Sequence, residues 1–158
     1  VCIYNVPGRA AVPLHIEALR AISSHINFWA VKEASGNISD FNNYSQCEPN
    51  ARMFSGDDIM FAKFSRLGAK GVVSVAANVW PEQTNKIVSQ FLDKNFENEE
   101  LFVAASKSLF SASNPIPTKA ILAQLGDIEY PTTRPPLASG DMLNIDEITN
   151  FNDKLELV

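Results

Sequence analysis

The segment Phe28-Trp29-Ala30-Val31-Lys32-Glu33-Ala34-Ser35-Gly36 opens as an apolar run and ends in a breaker. Its first five residues are the length and type of a short buried strand, and Ser35-Gly36-Asn37 stops it. Strand alternation places Phe28, Ala30 and Lys32 on one face. The same pattern recurs on both sides. Upstream, Val1 to Tyr4 is an apolar run closed by the turn Asn5-Val6-Pro7-Gly8. A helix is expected after it, with Val12, Ile16, Leu19 and Ile22 on one face. Downstream, a short helix is expected near Ser39 to Gln46, then a weak third strand at Arg52-Met53-Phe54, ended by Ser55-Gly56. Asp57-Asp58 opens a helix that runs through Leu67 to Gly68, and Gly71 to Val75 reads as a fourth strand. Regular alternation of strand and helix predicts a parallel sheet with helical crossovers, in a compact form that suits a barrel as well as an open sheet.

The pattern changes at Pro81, a favoured first-turn residue. Thr84, Ile87, Val88, Phe91 and Leu92 mark one helix, and Leu101, Ala105 and Leu109 another. Asn114-Pro115-Ile116-Pro117 is a rigid break before a helix over Thr118 to Leu125, which Gly126 stops. Tyr130 to Gly140 holds Pro131, Pro135 and Pro136 and is expected to be an extended connector. A last helix enters at Asn144 or Asp146 and carries Ile145, Ile148 and Leu155.

The chain has 158 residues and 46% hydrophobic content, enough for a true core. Its formal charge of -5, without a basic run, excludes nucleic acid as an expected partner. No apolar stretch approaches the ~18 residues of a membrane span. Cys2 and Cys47 stand apart from any C-x-x-C or Cys/His cluster, so no disulfide framework or zinc site is indicated, and a reducing cytoplasm fits. Val1 lies directly in a strand-like run, where a charged amine would meet apolar packing. A segment upstream of Val1 is therefore expected.

Three side chains stand out chemically. Lys32 ends an apolar strand. A primary amine in apolar surroundings is biased toward its neutral form, which attacks carbonyl carbons. The alternative is a strand-end lysine with its head in water. Tyr4 ends the preceding strand and would neighbour Lys32 at one end of a parallel sheet. There a phenol can relay protons, or simply sit wet at a strand end. Arg9 follows in the next loop, where a planar guanidinium suits a carboxylate or plain solvent. Asp57 and Asp58 read better as helix caps than as a catalytic pair. His15, His25 and the Asn37-Ile38-Ser39 sequon receive no role.

Taken together, these segments resemble a known family. Tyr4-Asn5-Val6-Pro7-Gly8-Arg9 is similar to the Y-N-x-P-x-R segment of the 4-hydroxy-tetrahydrodipicolinate synthase family. Val31-Lys32-Glu33-Ala34-Ser35-Gly36 resembles its Schiff-base lysine motif. Ser55-Gly56-Asp57-Asp58, Gly71 to Asn78, and Asn114-Pro115-Ile116-Pro117-Thr118-Lys119 resemble further family signatures in the right order.

The resemblance implies the C-terminal half, strands 5 to 8, of a (β/α)8 TIM barrel followed by a helical region. Residues 1–80 would be the four βα units, and residues 81–158 the last barrel helix and the helical extension. It implies condensation of pyruvate with L-aspartate 4-semialdehyde in lysine and diaminopimelate synthesis. No cofactor is implied, only a covalent imine between Lys32 and pyruvate. Tyr4 would shuttle protons and Arg9 would hold the semialdehyde carboxylate. Main-chain groups of Gly56 and Val73 would line the pocket. The first four βα units, with the threonine pair for the pyruvate carboxylate and a second tyrosine reaching across a dimer interface, lie outside this sequence. The missing half of the barrel and further copies in a dimer or tetramer are the implied protein partners. Sialic-acid lyases share the barrel, the lysine and the tyrosine but match the Arg9 loop less well. A related pyruvate aldolase is thus the second reading, and a half-barrel inactive without its partner the third.

Overall fold

The computed structural model describes residues 1–141 and 144–157. The chain divides into two compact units: Val1–Ser74 with Gln90–Phe96, and Val75–Ser89 with Glu97–Val158.

The first unit is built on a three-stranded parallel sheet, β1 (Cys2–Asn5), β2 (Ala30–Glu33) and β3 (Arg52–Ser55), in the order β1-β2-β3. Ile3, Ala30, Val31, Met53 and Phe54 supply the apolar positions of these strands, and helices return the chain between them. Those helices are α1 (Pro7–Ala10), α2 (Ile16–Ser23), α3 (Ile38–Cys47) and α4 (Asp58–Arg66). α3 lies against β2 and α4 against β3. The core between sheet and helices holds Val31, Met53, Leu19, Phe41, Phe61 and Phe64. Phe41 and Phe64 stack at 4.5 Å between ring centroids. Asn37 caps α3 by accepting from Ser39 N–H, and Asp57 caps α4 by accepting from Ile59 N–H at 2.8 Å. Gly68, at φ +99, releases the chain after α4.

Three expectations change. The helix with Val12 on its face starts only at Ile16, because Pro13 disfavours the helical conformation of the residue before it. The expected turn at Asn5 to Gly8 instead runs into the short helix α1. The fourth strand, Gly71 to Val75, is reduced to a single bridge between Ser55 and Val72. The chain runs beside β3, with Lys70 N–H donating to Met53 O, Ser55 N–H to Gly71 O and Val73 N–H to Ser55 O. No described strand pairs with its outer edge, and the ladder ends before a 3-10 turn at Ala76–Asn78.

The second unit is helical. α5 (Pro81–Leu92) begins in it, and α6 (Glu99–Ser108), α7 (Ile116–Leu125) and α8 (Asp146–Glu156) complete it. Phe102, Ala105, Leu109, Ile116, Ile121, Ile148 and Leu155 are buried. α6 touches α8, and Trp80 Nε1 donates to Asn152 Oδ1 at 2.7 Å. Gly126, at φ +84, terminates α7 as its position in the sequence predicts. Residues 130–138 have no regular structure apart from a turn at Pro135 and Pro136, as the prolines require, and a 3-10 turn follows at Ser139–Asp141. Among the described residues no helix is long and apolar enough to cross a membrane.

Candidate active site

Parallel pairing aligns the strands residue by residue. Tyr4 lies opposite Lys32, and Lys32 opposite Phe54. The next row is Asn5, Glu33 and Ser55. Successive strand residues point to opposite faces, so these adjacent rows face opposite sides of the sheet.

The first row faces outward from the helices. Tyr4 is 47% exposed, and Lys32 and Phe54 are half-buried. Lys32 Nζ lies 3.7 Å from the centroid of the Tyr4 ring, a cation–π contact. The ammonium thus sits over the ring face. Among the described residues it makes no hydrogen bond or ion pair, so its amine is not committed to a carboxylate.

Gly56 makes the space for that lysine. A Cβ at Gly56 would lie 2.7 Å from Ala34 Cβ and 2.8 Å from Lys32 Cε. Real Cβ atoms do not approach so closely, and only glycine lets the strand end pass the lysine stem. Gly56 N–H donates to Glu33 O at 2.7 Å, which ties the loop after β3 to β2. Val73 is joined to the same strand ends through Ser55 O, and its side chain is 51% exposed. Tyr4, Lys32, Gly56 and Val73 therefore gather at the C-terminal ends of the strands. Arg9 stands in α1, directly after β1, with its side chain exposed. Among the described residues its guanidinium contacts neither Lys32 nor Tyr4.

The second row is closed. Asn5 is 2% exposed, and Glu33 and Ser55 are fully buried. Glu33 Oε2 accepts from Asn5 Nδ2 at 2.7 Å, and its Oε1 accepts from Ser35 N–H at 2.5 Å. Asn5 Oδ1 accepts from Leu14 N–H at 2.9 Å, and Tyr44 Oη donates to Leu14 O at 2.7 Å. Burial, then the negative charges of Glu33 and Asp40, push the Tyr44 phenol up to about 12. Ser55 Oγ donates to Asp57 O and accepts from Asp57 N–H. Burial is also the main influence on Asp57, raising its carboxyl above the usual range despite the cap hydrogen bond. Sequence reasoning assigned Asn5 and Glu33 no role. The signal available was positional: a polar residue directly after Tyr4 and another directly after Lys32, both on the face that must be buried.

Residues 1–152 match the model of the Dihydrodipicolinate synthetase family. Among curated relatives, the 4-hydroxy-tetrahydrodipicolinate synthase of Wolbachia pipientis subsp. Culex pipiens (strain wPip) is 43% identical over 150 residues. The match covers 95% of this chain and 51% of the relative. That of Francisella tularensis subsp. novicida is 41% identical over 145 residues, covering 90% and 49%. The crystal structure of dihydrodipicolinate synthase from Thermotoga maritima superposes with a TM-score of 0.84 at 28% identity, covering 99% of this chain and 56% of that one. The chain spans about half the length of the curated relatives it matches.

Proposed function

The chain belongs to the Dihydrodipicolinate synthetase family, and on that premise we propose that it forms the second half of a (β/α)8 barrel with a helical extension. The whole protein is then a lyase that condenses pyruvate with L-aspartate 4-semialdehyde in lysine biosynthesis. The observation that carries this reading is the Lys32 amine held over the Tyr4 ring, on the sheet face not covered by helices, with Gly56 clearing its path. A second set of strands over that face would enclose the amine in the interior of a barrel.

The chemistry follows from the amine. Neutral Lys32 adds to the pyruvate ketone carbon, and loss of water leaves an imine. The iminium makes the pyruvate methyl acidic. Loss of one methyl proton gives an enamine, whose carbon bonds to the aldehyde carbon of the second substrate. Attack of that substrate's own amine on the imine carbon closes the ring and expels Lys32. Tyr4 moves protons in these steps, and its ring holds the ammonium form beside the sheet before reaction. Arg9 pairs with the semialdehyde carboxylate at the mouth. Main-chain groups of Gly56 and Val73 line the pocket. The scheme needs no cofactor. The pyruvate carboxylate is held by residues of the first four βα units, so this chain alone is inactive.

Borohydride trapping tests the reading. In the complete protein, pyruvate followed by borohydride should leave a reduced three-carbon adduct on Lys32, and Lys32→Arg should abolish it, because a guanidinium supplies no neutral amine. An adduct mapped to Lys63, Lys70 or Lys119 with Lys32 unmodified would overturn the mechanism.

A further inference from the structure

The loop that carries Arg9 is closed at its neck by the side chain of Asn5. Val6 O accepts from Arg9 N–H at 2.9 Å and from Ala10 N–H at 3.0 Å, and Ala11 N–H donates to Pro7 O at 2.9 Å. The segment thus makes one helical turn. Ala11, at φ 58, then reverses the chain. It returns to the sheet at Leu14, whose N–H donates to Asn5 Oδ1. Asn5 is the residue from which the loop departs. Its amide therefore holds both ends of the loop together, with Arg9 between them.

The polarity of this neck is fixed by chemistry. Leu14 N–H can only donate, so Asn5 must present its oxygen there. Its Nδ2 is then left to face Glu33 Oε2 at 2.7 Å, and an ionised carboxylate can only accept. The second Glu33 oxygen takes Ser35 N–H. Tyr44 Oη fastens Leu14 O from α3. Asn5 and Glu33 directly follow Tyr4 and Lys32 in β1 and β2 and are buried on the opposite face. The loop is thus fixed to the strand that carries the nucleophile.

We propose that Asn5 and Glu33 are positioning residues for the second substrate, setting Arg9 at a fixed reach from Lys32. This rests on the assignment of Arg9 to the semialdehyde carboxylate. The pair acts through the loop and touches neither substrate. It governs how well the aldehyde is presented to the enamine and leaves the formation of that enamine to Lys32.

A polarity swap in the complete protein tests this. Asn5→Asp alone sets two carboxylates against each other in a buried site. Glu33→Gln alone turns an NH2 toward one of the two N–H donors that Glu33 now accepts. Each should raise the KM for L-aspartate 4-semialdehyde by about 10- to 100-fold, as expected when a positioning group shifts by an ångström or so. Borohydride trapping of pyruvate at Lys32 should persist. The double variant Asn5→Asp with Glu33→Gln restores a donor facing an acceptor at every link and keeps the net charge, so its KM should return to that of the parent. In an Arg9→Ala background, Asn5→Asp should raise the KM no further. Unaltered KM in both single variants would overturn the proposal, as would a KM still raised in a folded double variant. If the single variants fail to fold, the KM of the double variant decides in the same way. Lack of trapping at Lys32 in the parent removes the imine reading and this inference with it. Trapping with an indifferent KM removes this inference alone.

Discussion

The two faces of the small sheet carry neighbouring residues with opposite fates. On one, Tyr4, Lys32 and Phe54 are exposed or half-buried, and their polar atoms make a single ring-face contact. On the other, Asn5, Glu33 and Ser55 are buried, and each has its side-chain hydrogen bonds made. A charge on the covered face survives only because two donors meet it, since an unpaired buried carboxylate is too costly. The Lys32 ammonium on the open face needs no such partner, because it is only half-buried and rests on the Tyr4 ring. One strand thus places a half-buried lysine on one face and a fully buried, hydrogen-bonded carboxylate on the other.

The largest effect should come from the open face. In the complete protein, Tyr4→Phe keeps the ring beneath Nζ and removes only the hydroxyl. Turnover should fall by ~10²–10⁴-fold, typical of a positioned proton-transfer group, while slow trapping at Lys32 persists. Unchanged turnover would make Tyr4 a platform for the ammonium and nothing more.

Stability should show the opposite asymmetry. Glu33→Ala leaves the buried Asn5 amide and the half-buried Ser35 N–H without their acceptor, at a cost of about 1–3 kcal/mol for the buried orphan and less for the other. Lys32→Met removes one cation–π contact on the open face and should cost about 1 kcal/mol or less. Denaturant titration of both variants compares the faces directly, and equal losses would break the contrast.

Gly56→Ala probes the point where the faces meet. The added methyl lands on Ala34 Cβ and Lys32 Cε, so overpacking should cost about 1–3 kcal/mol and displace the lysine stem. Slower imine trapping together with a lower Tm is the expected pair of results. Gly8→Ala, whose methyl would meet nothing within 4 Å, is the matched control for added bulk.

The smallest effect is one of pH. The Tyr44 phenol is raised from 10.0 to about 12, so the fold retains its proton after the unfolded chain has lost it. Its contribution to stability is full below pH 10 and is lost as pH rises from there to about 12. Tyr44→Phe should flatten that part of the stability profile, and an unchanged slope would dismiss the Tyr44–Leu14 link as a pH-dependent contact.

The strands and most helices were legible from composition and period. Asp57 as a cap and Gly126 as a stop follow from local chemistry alone. The reduction of the expected fourth strand to one bridge was not legible, because whether Gly71 to Val75 forms a ladder depends on a neighbour along its outer edge, which no local pattern encodes. The helix start at Ile16 was obscured by Val12, whose apolar side chain fits the helical period although Pro13 interrupts the backbone.

The sequence by itself determined the alternation of strand and helix and the placing of Tyr4 and Lys32 at equivalent strand ends. Both follow from periodicity and breakers acting within a few residues. Only the tertiary structure decided that Lys32 lies over the Tyr4 ring, that Gly56 must lack a side chain, and that Asn5 joins Glu33 to Leu14. Those relations depend on parallel register between strands far apart in the chain. A slip of one residue would exchange the two faces, burying Lys32 and exposing Glu33.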